Sequence, residues 1–330
     1  DSGVILYPNY GGPIKLDLFS GALRWRAESL ANRDPPTRRD GWAPPLLHQG
    51  VLYVPYEKRM MALRSSDGQI LWDRQDKLEG RAFQLAHTPH GLLVLTVPGP
   101  NDVGMIHDPA PGLELLDPGT GASVWPKRIS RLGGTGLFLA RGDSAYISAK
   151  NKLFALHLPS GVLLEERKLE FEGGEDAGRI EPWNGGLLIQ GHQNLLLLDS
   201  LGGEVYFRYF KAPGKSLFAK IASTALIVAF NVASYSVTPP GGMYTVITNN
   251  PVLTARYHAT ERARDYVYML TSEPDASGRT GFSLVRVHRA DGSETGRVWV
   301  DDRSPDMALD PITGTVFLKT SDTQIVALRF

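Results

Sequence analysis

Two histidines have the spacing of a metal-ligand pair, in the stretch His87-x-x-His90. Zinc sites need three or four converging His, Cys or carboxylate ligands. Pro89 lies between the two histidines and no third ligand stands nearby, so the pattern favours a surface loop over a metal site. Cysteine is absent from the chain, which excludes disulfides, thiolate metal sites and a cysteine nucleophile. We therefore predict no metal site.

The stretch Gly214-Lys215-Ser216 has the residues that end a phosphate-binding loop. That motif also needs a glycine upstream, and Tyr209 occupies the required position, while Pro213 directly precedes the stretch. Phosphate binding is therefore not predicted. The sequence also lacks the Gly-x-Ser-x-Gly turn that presents a nucleophilic serine. We predict no catalytic residue, no cofactor-binding residue and no cofactor.

Composition narrows the class of protein further. The chain has 330 residues, of which 42% are hydrophobic, so it is long enough to bury a large core. Lys and Arg together number 35, as do Asp and Glu, so no net charge attracts nucleic acid, and we predict no nucleic-acid partner. No apolar run reaches the roughly 20 residues of a membrane-spanning helix, so no transmembrane span is predicted.

A short sequence motif recurs along the chain: an apolar strand, a turn with glycine, and a second strand that ends in a large side chain. In Ser65–Trp72 the turn is Asp67-Gly68, which predicts a two-residue hairpin turn with left-handed residues. Seven such hairpins occur, namely Ile14–Trp25, Met60–Trp72, Leu113–Trp125, Leu153–Glu166, Leu195–Phe207, Ser234–Ile247 and Leu284–Val300. Their turn glycines are Gly21, Gly68, Gly121, Gly161, Gly203, Gly242 and Gly292.

Successive turn glycines are 39 to 53 residues apart, which is the period of a four-stranded blade in a β-propeller. Most hairpins also follow a short apolar second strand, as in Val51–Tyr56, Gly91–Val97, Ser144–Lys150, Gly186–Gly191, Thr224–Phe230 and Tyr266–Leu270. We predict an all-β, single-domain propeller over residues 1–330, with four-stranded antiparallel blades. Eight blades are expected, with an incomplete last blade at 306–330 and closure by strands from both termini. Seven blades are the alternative.

Large rings stand four residues after the turn glycine in four hairpins: Trp25, Trp72, Trp125 and Phe207. Neighbouring blades of a propeller pack face to face, and a ring at one fixed place fills the space between them. Repeated apolar positions usually reflect repeated packing. We therefore predict that these four residues pack between blades and do not stack on a ligand.

The motif ALRSSDGQILW resembles the repeat of the pyrroloquinoline-quinone-like (PQQ-like) propeller family. This family includes quinoprotein alcohol dehydrogenases and the outer-membrane assembly lipoprotein BamB. Resemblance to the dehydrogenases would imply a quinone cofactor, a calcium site and, in many, a disulfide of adjacent cysteines. Here no cysteine exists, and no stretch matches the Glu, Asn and Asp ligands of that site. The resemblance thus favours a BamB-like protein that is not an enzyme.

Loops between propeller strands commonly carry binding residues. The loop Ala27–Pro45 contains residue types that are enriched at protein interfaces, namely Arg33, Arg38, Arg39 and Trp42. A solvated, proline-rich connection is the alternative for this loop. The loops Pro98–Gly112 and Ser272–Gly281 are also long, and the stretch Ile221–Ala255 contains no charged residue. Burial in a blade, or docking on a protein or membrane surface, would explain that stretch.

These features lead to one functional hypothesis and two alternatives. We expect an extracytoplasmic, BamB-like scaffold that binds other proteins in a membrane-associated complex of the bacterial envelope. The chain opens at Asp1, as a processed exported protein would, and a missing N-terminal segment would supply any membrane anchor. The first alternative is an enzyme or binding protein with a quinone or other small ligand in the central funnel. The second is the sensor domain of a membrane receptor.

Overall fold

The computed structural model describes residues 3–6, 12–28, 43, 45–56, 58–74, 78–98, 111–130, 132, 138–149, 151–191, 193–211, 265–300, 306–310, 313–321 and 323–330. Several predicted features lie outside these residues: the interface residues Arg33, Arg38, Arg39 and Trp42, the Gly214-Lys215-Ser216 motif, the second strand Thr224–Phe230, the hairpin Ser234–Ile247, the stretch Ile221–Ala255 and most of the loop Pro98–Gly112.

The described residues form an all-β structure, as predicted. Their strands make seven antiparallel sheets of three or four strands, and helical structure is limited to short 3-10 turns such as Glu172–Gly174. The chain divides into two compact units, Asp1–Lys168 and Leu169–Phe330. The single domain and the closure by both termini stay predictions.

The first unit contains four sheets. Sheet 1 consists of β1 (Gly3–Leu6), β2 (Ile14–Asp17) and β3 (Leu23–Arg26). Sheet 2 consists of β4 (Leu46–His48), β5 (Val51–Tyr56), β6 (Arg59–Arg64) and β7 (Ile70–Asp73). Sheet 3 consists of β8 (Arg81–Thr88), β9 (Gly91–Val97), β10 (Gly112–Leu116) and β11 (Ile129–Ser130). Sheet 4 consists of β12 (Phe138–Arg141), β13 (Ser144–Ala149), β14 (Lys152–His157) and β15 (Val162–Lys168).

The second unit contains three sheets. Sheet 5 consists of β16 (Arg179–Trp183), β17 (Gly186–Gln190), β18 (Asn194–Leu198) and β19 (Glu204–Tyr209). Sheet 6 consists of β20 (Tyr266–Thr271), β21 (Phe282–His288) and β22 (Glu294–Val300). Sheet 7 consists of β23 (Asp306–Asp310), β24 (Thr315–Ser321) and β25 (Gln324–Leu328), within the predicted incomplete blade.

The middle strands of each four-stranded sheet carry its core. β9 is buried at every residue. Its nearly continuous apolar sequence is what a strand covered on both faces requires. Five predicted second strands coincide with β5, β9, β13, β17 and β20 to within one residue. The apolar segments bounded by glycine and polar turns were therefore sufficient to locate these strands.

The turns of the repeated hairpins differ from the predicted two-residue type. In the turn between β6 and β7 only Gly68 has a positive φ, of 76°, and its amide donates to the carbonyl of Arg64 over 2.8 Å. The pairing of β6 with β7 then shifts by one residue between Ala62 and Leu63. A longer turn followed by a bulge, with one left-handed glycine, replaces the Asp-Gly turn. Asp67 is therefore not left-handed, and that prediction was wrong.

Consecutive sheets within each unit pack through shared apolar clusters. Sheets 1 and 2 share a cluster that includes Trp25 and Met61, and sheets 3 and 4 share one that includes Leu113 and Ile147. A further cluster joins sheets 2 and 3, and another joins sheets 6 and 7. Face-to-face packing of antiparallel sheets through interdigitating side chains is thus the main source of the core.

Sheets 5 and 6 are direct neighbours although residues 212–264 separate them in sequence. Leu188 and Leu197 of sheet 5 form one buried cluster with Met269 and Val285 of sheet 6. The sequence assigned one further blade to this interval, with its hairpin at Ser234–Ile247. That hairpin lies outside the described residues, and the number of blades stays a prediction.

Candidate protein-interaction surface

In sheets 1, 2 and 3 the segment that follows the turn glycine carries a tryptophan that joins its sheet to the next. Trp25 in β3, Trp72 in β7 and Trp125 in the bend before β11 are 7%, 8% and 3% exposed. Each indole packs on the turn glycine of the following sheet: Trp25 on Gly68, Trp72 on Gly121, and Trp125 on Gly161. A Cβ atom at these glycines would lie 2.7 to 3.0 Å from the indole, which is too close. Glycine is therefore required both for the left-handed turn and for this contact.

Each of these indoles also makes the same hydrogen bond. Its Nε1 donates to the backbone carbonyl three residues before the glycine on which the ring packs. The acceptors are Ser65 at 3.0 Å, Pro118 at 2.9 Å and Leu158 at 2.6 Å. The bond satisfies the polar edge of a buried ring and fixes its orientation. The repeat thus packs the hairpin turns of sheets 2, 3 and 4 against the preceding sheets.

In sheet 5 Tyr206 occupies this position, and Phe207 does not. The Tyr206 hydroxyl donates to the carbonyl of Arg289 over 2.7 Å, and its ring packs on Gly292 of sheet 6. Phe207 points to the other face of the strand and stacks on Phe171, with 6.1 Å between ring centroids. The prediction counted four residues from Gly203. The left-handed glycine is Gly202, and four residues from it lies Tyr206.

Tyr206→Phe should lower the free energy of unfolding by about 1–2 kcal/mol. The substitution keeps the ring that packs on Gly292 and removes only the hydroxyl that donates to Arg289. Burial raises the pKa of Tyr206, which agrees with a hydroxyl that stays protonated in this contact. Chemical denaturation followed by circular dichroism measures the change. An unchanged midpoint would show that water or another donor replaces the bond.

A buried ion pair also joins sheets 5 and 6. Arg289 Nη1 lies 3.1 Å from Glu181 Oε1, and both side chains are less than 10% exposed. The Arg289 guanidinium lies over the Trp183 ring, 5.2 Å from its centroid. Burial lowers the pKa of Arg289, and the Glu181 carboxylate opposes that effect. Glu181 also pairs with Arg179 over 2.9 Å. Removing the Glu181 charge would leave the buried Arg289 guanidinium without this carboxylate, so the ion pair is costly to break from that side.

The tips of two hairpins present large apolar side chains to solvent. Phe19 of sheet 1 is 85% exposed and Leu201 of sheet 5 is 94% exposed. Both lie two residues after an aspartate whose Oδ1 accepts their backbone amide, over 3.1 Å from Phe19 to Asp17 and 2.8 Å from Leu201 to Asp199. Such Asx-type turns restrict the backbone. These exposed side chains therefore stand on ordered turns.

The tip of sheet 1 is further fixed by an ion pair. Arg24 Nη2 donates to Asp17 Oδ2, and the amide and hydroxyl of Ser20 donate to Asp17 Oδ1. The Arg24 guanidinium, followed by the Ser20 hydrogen bonds, holds the pKa of Asp17 well below its usual range. Leu18 and Leu23, in the same hairpin as Phe19, are 57% and 55% exposed. We call Leu18, Phe19 and Leu23 the first apolar tip.

The two histidines of the predicted metal-type pattern have different partners. His87 lies in β8 and stacks on His48, with 3.7 Å between ring centroids. His90 lies in the turn before β9, and its Nε2 is 2.7 Å from Asp143 Oδ1. Burial, with a smaller effect of His48, lowers the pKa of His87. Among the described residues, no group of three or more His, Asp or Glu side chains is placed to bind a metal.

The comparisons with known proteins agree with this architecture. A sequence profile of the family described as outer membrane protein assembly factor BamB matches residues 15–212. The chain belongs to this family. No individually curated protein matches it in sequence. Within the described part of the chain, no helix has the length and apolar character needed to cross a membrane.

Solved structures show the β-propeller fold. BamB from Moraxella catarrhalis superposes with a TM-score of 0.57 at 14% identity, over 99% of this chain and 82% of BamB. A quinohemoprotein alcohol dehydrogenase from Comamonas testosteroni gives 0.54 at 13% identity, over 99% of this chain but only 64% of the enzyme. The computationally designed protein Ika8 gives 0.52 at 8% identity, over 100% of this chain and 81% of Ika8. At such identities the fold alone is shared.

Proposed function

We propose that this BamB-family chain is a non-enzymatic scaffold that binds other proteins, as a subunit of a membrane-associated complex in the bacterial envelope. The family's description names an assembly factor of outer membrane proteins, which supports an extracytoplasmic place for this chain. The observation that carries the proposal is the pair of ordered hairpin tips with Phe19 and Leu201 exposed to solvent.

Exposed side chains of this size on fixed turns are suited to enter pockets of a partner. Burying one such side chain contributes about 1.5–3 kcal/mol, and little conformational entropy is lost when the turn is already ordered. Interface energy is usually concentrated in a few apolar or aromatic anchors. Phe19 with its neighbours Leu18 and Leu23 forms the larger of the two anchors. We therefore assign the first apolar tip to a partner protein.

Phe19→Ser and Leu201→Ser should each reduce recovery of the partner by about tenfold or more. The tagged full chain is purified from the envelope of its own bacterium in mild detergent, and partners are quantified by mass spectrometry. Ser66→Ala, at an exposed position of the turn in sheet 2, is the matched control and should change nothing. If the wild-type chain is recovered without a stoichiometric partner, the scaffold proposal is wrong.

The rival function is an enzyme with a quinone cofactor, which the fold of the alcohol dehydrogenase from Comamonas testosteroni favours. A ligand that binds the folded chain raises its melting temperature by mass action. We expect no shift when pyrroloquinoline quinone and calcium are added to the purified chain. A rise in melting temperature that saturates with quinone concentration would contradict the non-enzymatic part of the proposal.

A further inference from the structure

Five of the repeated hairpins have turns of the same backbone geometry. In each of them the turn glycine has a φ between 68° and 76°, and its amide donates to the carbonyl four residues earlier over 2.8 to 3.0 Å. These glycines are Gly21, Gly68, Gly121, Gly161 and Gly292. A ring from a neighbouring sheet packs on the last four of them. The same turn is therefore an aromatic-binding position in four sheets.

The turn of sheet 1 has this geometry but no ring packs on it. A Cβ atom at Gly21 would have no neighbour within 4 Å, and the glycine is exposed. In the other four turns, the carbonyl three residues before the glycine accepts the hydrogen bond of the ring. The corresponding residue here is Leu18, and no described residue donates to its carbonyl. Sheet 1 thus has both the glycine and the acceptor of the repeat.

The described tryptophans are all engaged elsewhere. Trp25, Trp72 and Trp125 pack on turn glycines, while Trp183 and Trp299 lie under arginine guanidinium groups. The described part of the chain therefore supplies no free indole for the turn of sheet 1. The exposed side chains of the first apolar tip surround this position in the same hairpin.

We propose that the first apolar tip binds a tryptophan of a partner protein, with the indole on Gly21 and its Nε1 donating to the Leu18 carbonyl. This inference rests on the proposed scaffold function and names the chemistry of the partner. The glycine requires a flat apolar ring, and the carbonyl requires a donor at the edge of that ring, a combination that phenylalanine and leucine lack. Phe19 and Leu23 then lose solvent exposure against the residues that flank the tryptophan.

Photo-cross-linking in cells tests the proposal. The full chain carries p-benzoylphenylalanine in place of Ala22, which is exposed and adjacent to Gly21, and is expressed in its own bacterium. Mass spectrometry should identify a cross-link to another protein, at a segment that contains a tryptophan. Gly21→Ala should lower the yield of this cross-link by about tenfold or more, because the new Cβ stands where the indole packs.

Gly142→Ala is the matched control. Gly142 is also an exposed, left-handed turn glycine, with a φ of 56° and space for a Cβ atom, so alanine meets similar backbone strain there. This variant should leave the cross-link unchanged. In the purified complex, replacing the partner's tryptophan by phenylalanine keeps the ring and removes the donor. That change should raise the dissociation constant by about fivefold, and replacement by alanine should raise it by about tenfold or more.

Two results would overturn the proposal. The first is a cross-link within the same chain, which would show that its own residues fill the position on Gly21. The second is a cross-link to a partner that persists in Gly21→Ala or that involves a segment without tryptophan. In both cases a stoichiometric partner recovered with the wild-type chain would still support the scaffold function. Loss of every partner would contradict both proposals.

Discussion

Trp125→Ala lowers the free energy of unfolding of the first unit by about 3–5 kcal/mol, the range for removal of a buried large aromatic side chain. Trp125 is 3% exposed and lies in the cluster shared by sheets 3 and 4. The substitution creates a cavity between the two sheets. It also removes the donor to the Leu158 carbonyl, which is buried with it.

Val124→Ala is the matched control for this prediction. Val124 is the adjacent residue in the same bend and is 43% exposed, so its truncation should cost less than about 1 kcal/mol. Chemical denaturation followed by circular dichroism compares the two variants without relying on indole fluorescence. Equal effects at the two positions would mean that the indole between sheets does not hold the repeat together.

The sequence was sufficient to locate this packing position in unit 1. A turn glycine and a tryptophan four residues later recur at Gly21 and Trp25, and again in the next two hairpins. The recurrence arises because each indole needs a glycine turn of the next sheet as its contact surface. The contact between indole and turn glycine therefore produces two sequence features, the glycine and the tryptophan, and both can be recognised without coordinates.

Sheet 5 shows where this inference stops. Its turn contains two consecutive glycines, and the sequence does not state which of them is left-handed. The structure gives a φ of 82° to Gly202, so Tyr206 docks and Phe207 turns to the opposite face. An error of one residue exchanges the two faces of a strand. The backbone conformation of the two glycines, which residue type alone leaves open, decides whether Tyr206 or Phe207 packs on sheet 6.

The interval between sheets 5 and 6 shows a second limit. The glycines Gly203 and Gly292 are 89 residues apart, which corresponds to two periods of the repeat. In the structure, Tyr206 docks directly on the turn of Gly292, so these two sheets are neighbours. A repeat period measures chain length, whereas sheet order is set by contacts. The period therefore could not establish the order of sheets in this part of the chain.

The candidate interaction surface was the least predictable feature. Leucine and phenylalanine fill the core as well as the tips, so residue type does not separate Phe19 and Leu201 from buried residues. Arginine and tryptophan, which are enriched at interfaces, point instead to the loop Ala27–Pro45, which lies mostly outside the described residues. Exposure depends on the turn that carries each side chain. Only the turn geometry around Asp17 and Asp199 identified these tips.

Gly68→Ala should destabilise the first unit far more than Gly21→Ala, although both glycines are left-handed turn residues. Their φ angles are 76° and 69°, so alanine at either position meets the same backbone strain of about 1–2 kcal/mol. At Gly68 the new Cβ would also lie 2.7 Å from the Trp25 ring, whereas at Gly21 it has no neighbour within 4 Å. The overpacked contact adds about 1–3 kcal/mol.

A double-mutant cycle isolates that contact. In a Trp25→Ala background the methyl group of Gly68→Ala enters the space left by the indole, so only the backbone strain should remain. The expected coupling between positions 25 and 68 is therefore about 1–3 kcal/mol, with none between positions 25 and 21. Denaturant midpoints of the five variants supply both cycles. Additive effects at positions 25 and 68 would show that the sheets separate freely enough to accept the methyl group, and that the docking contact does not set their spacing.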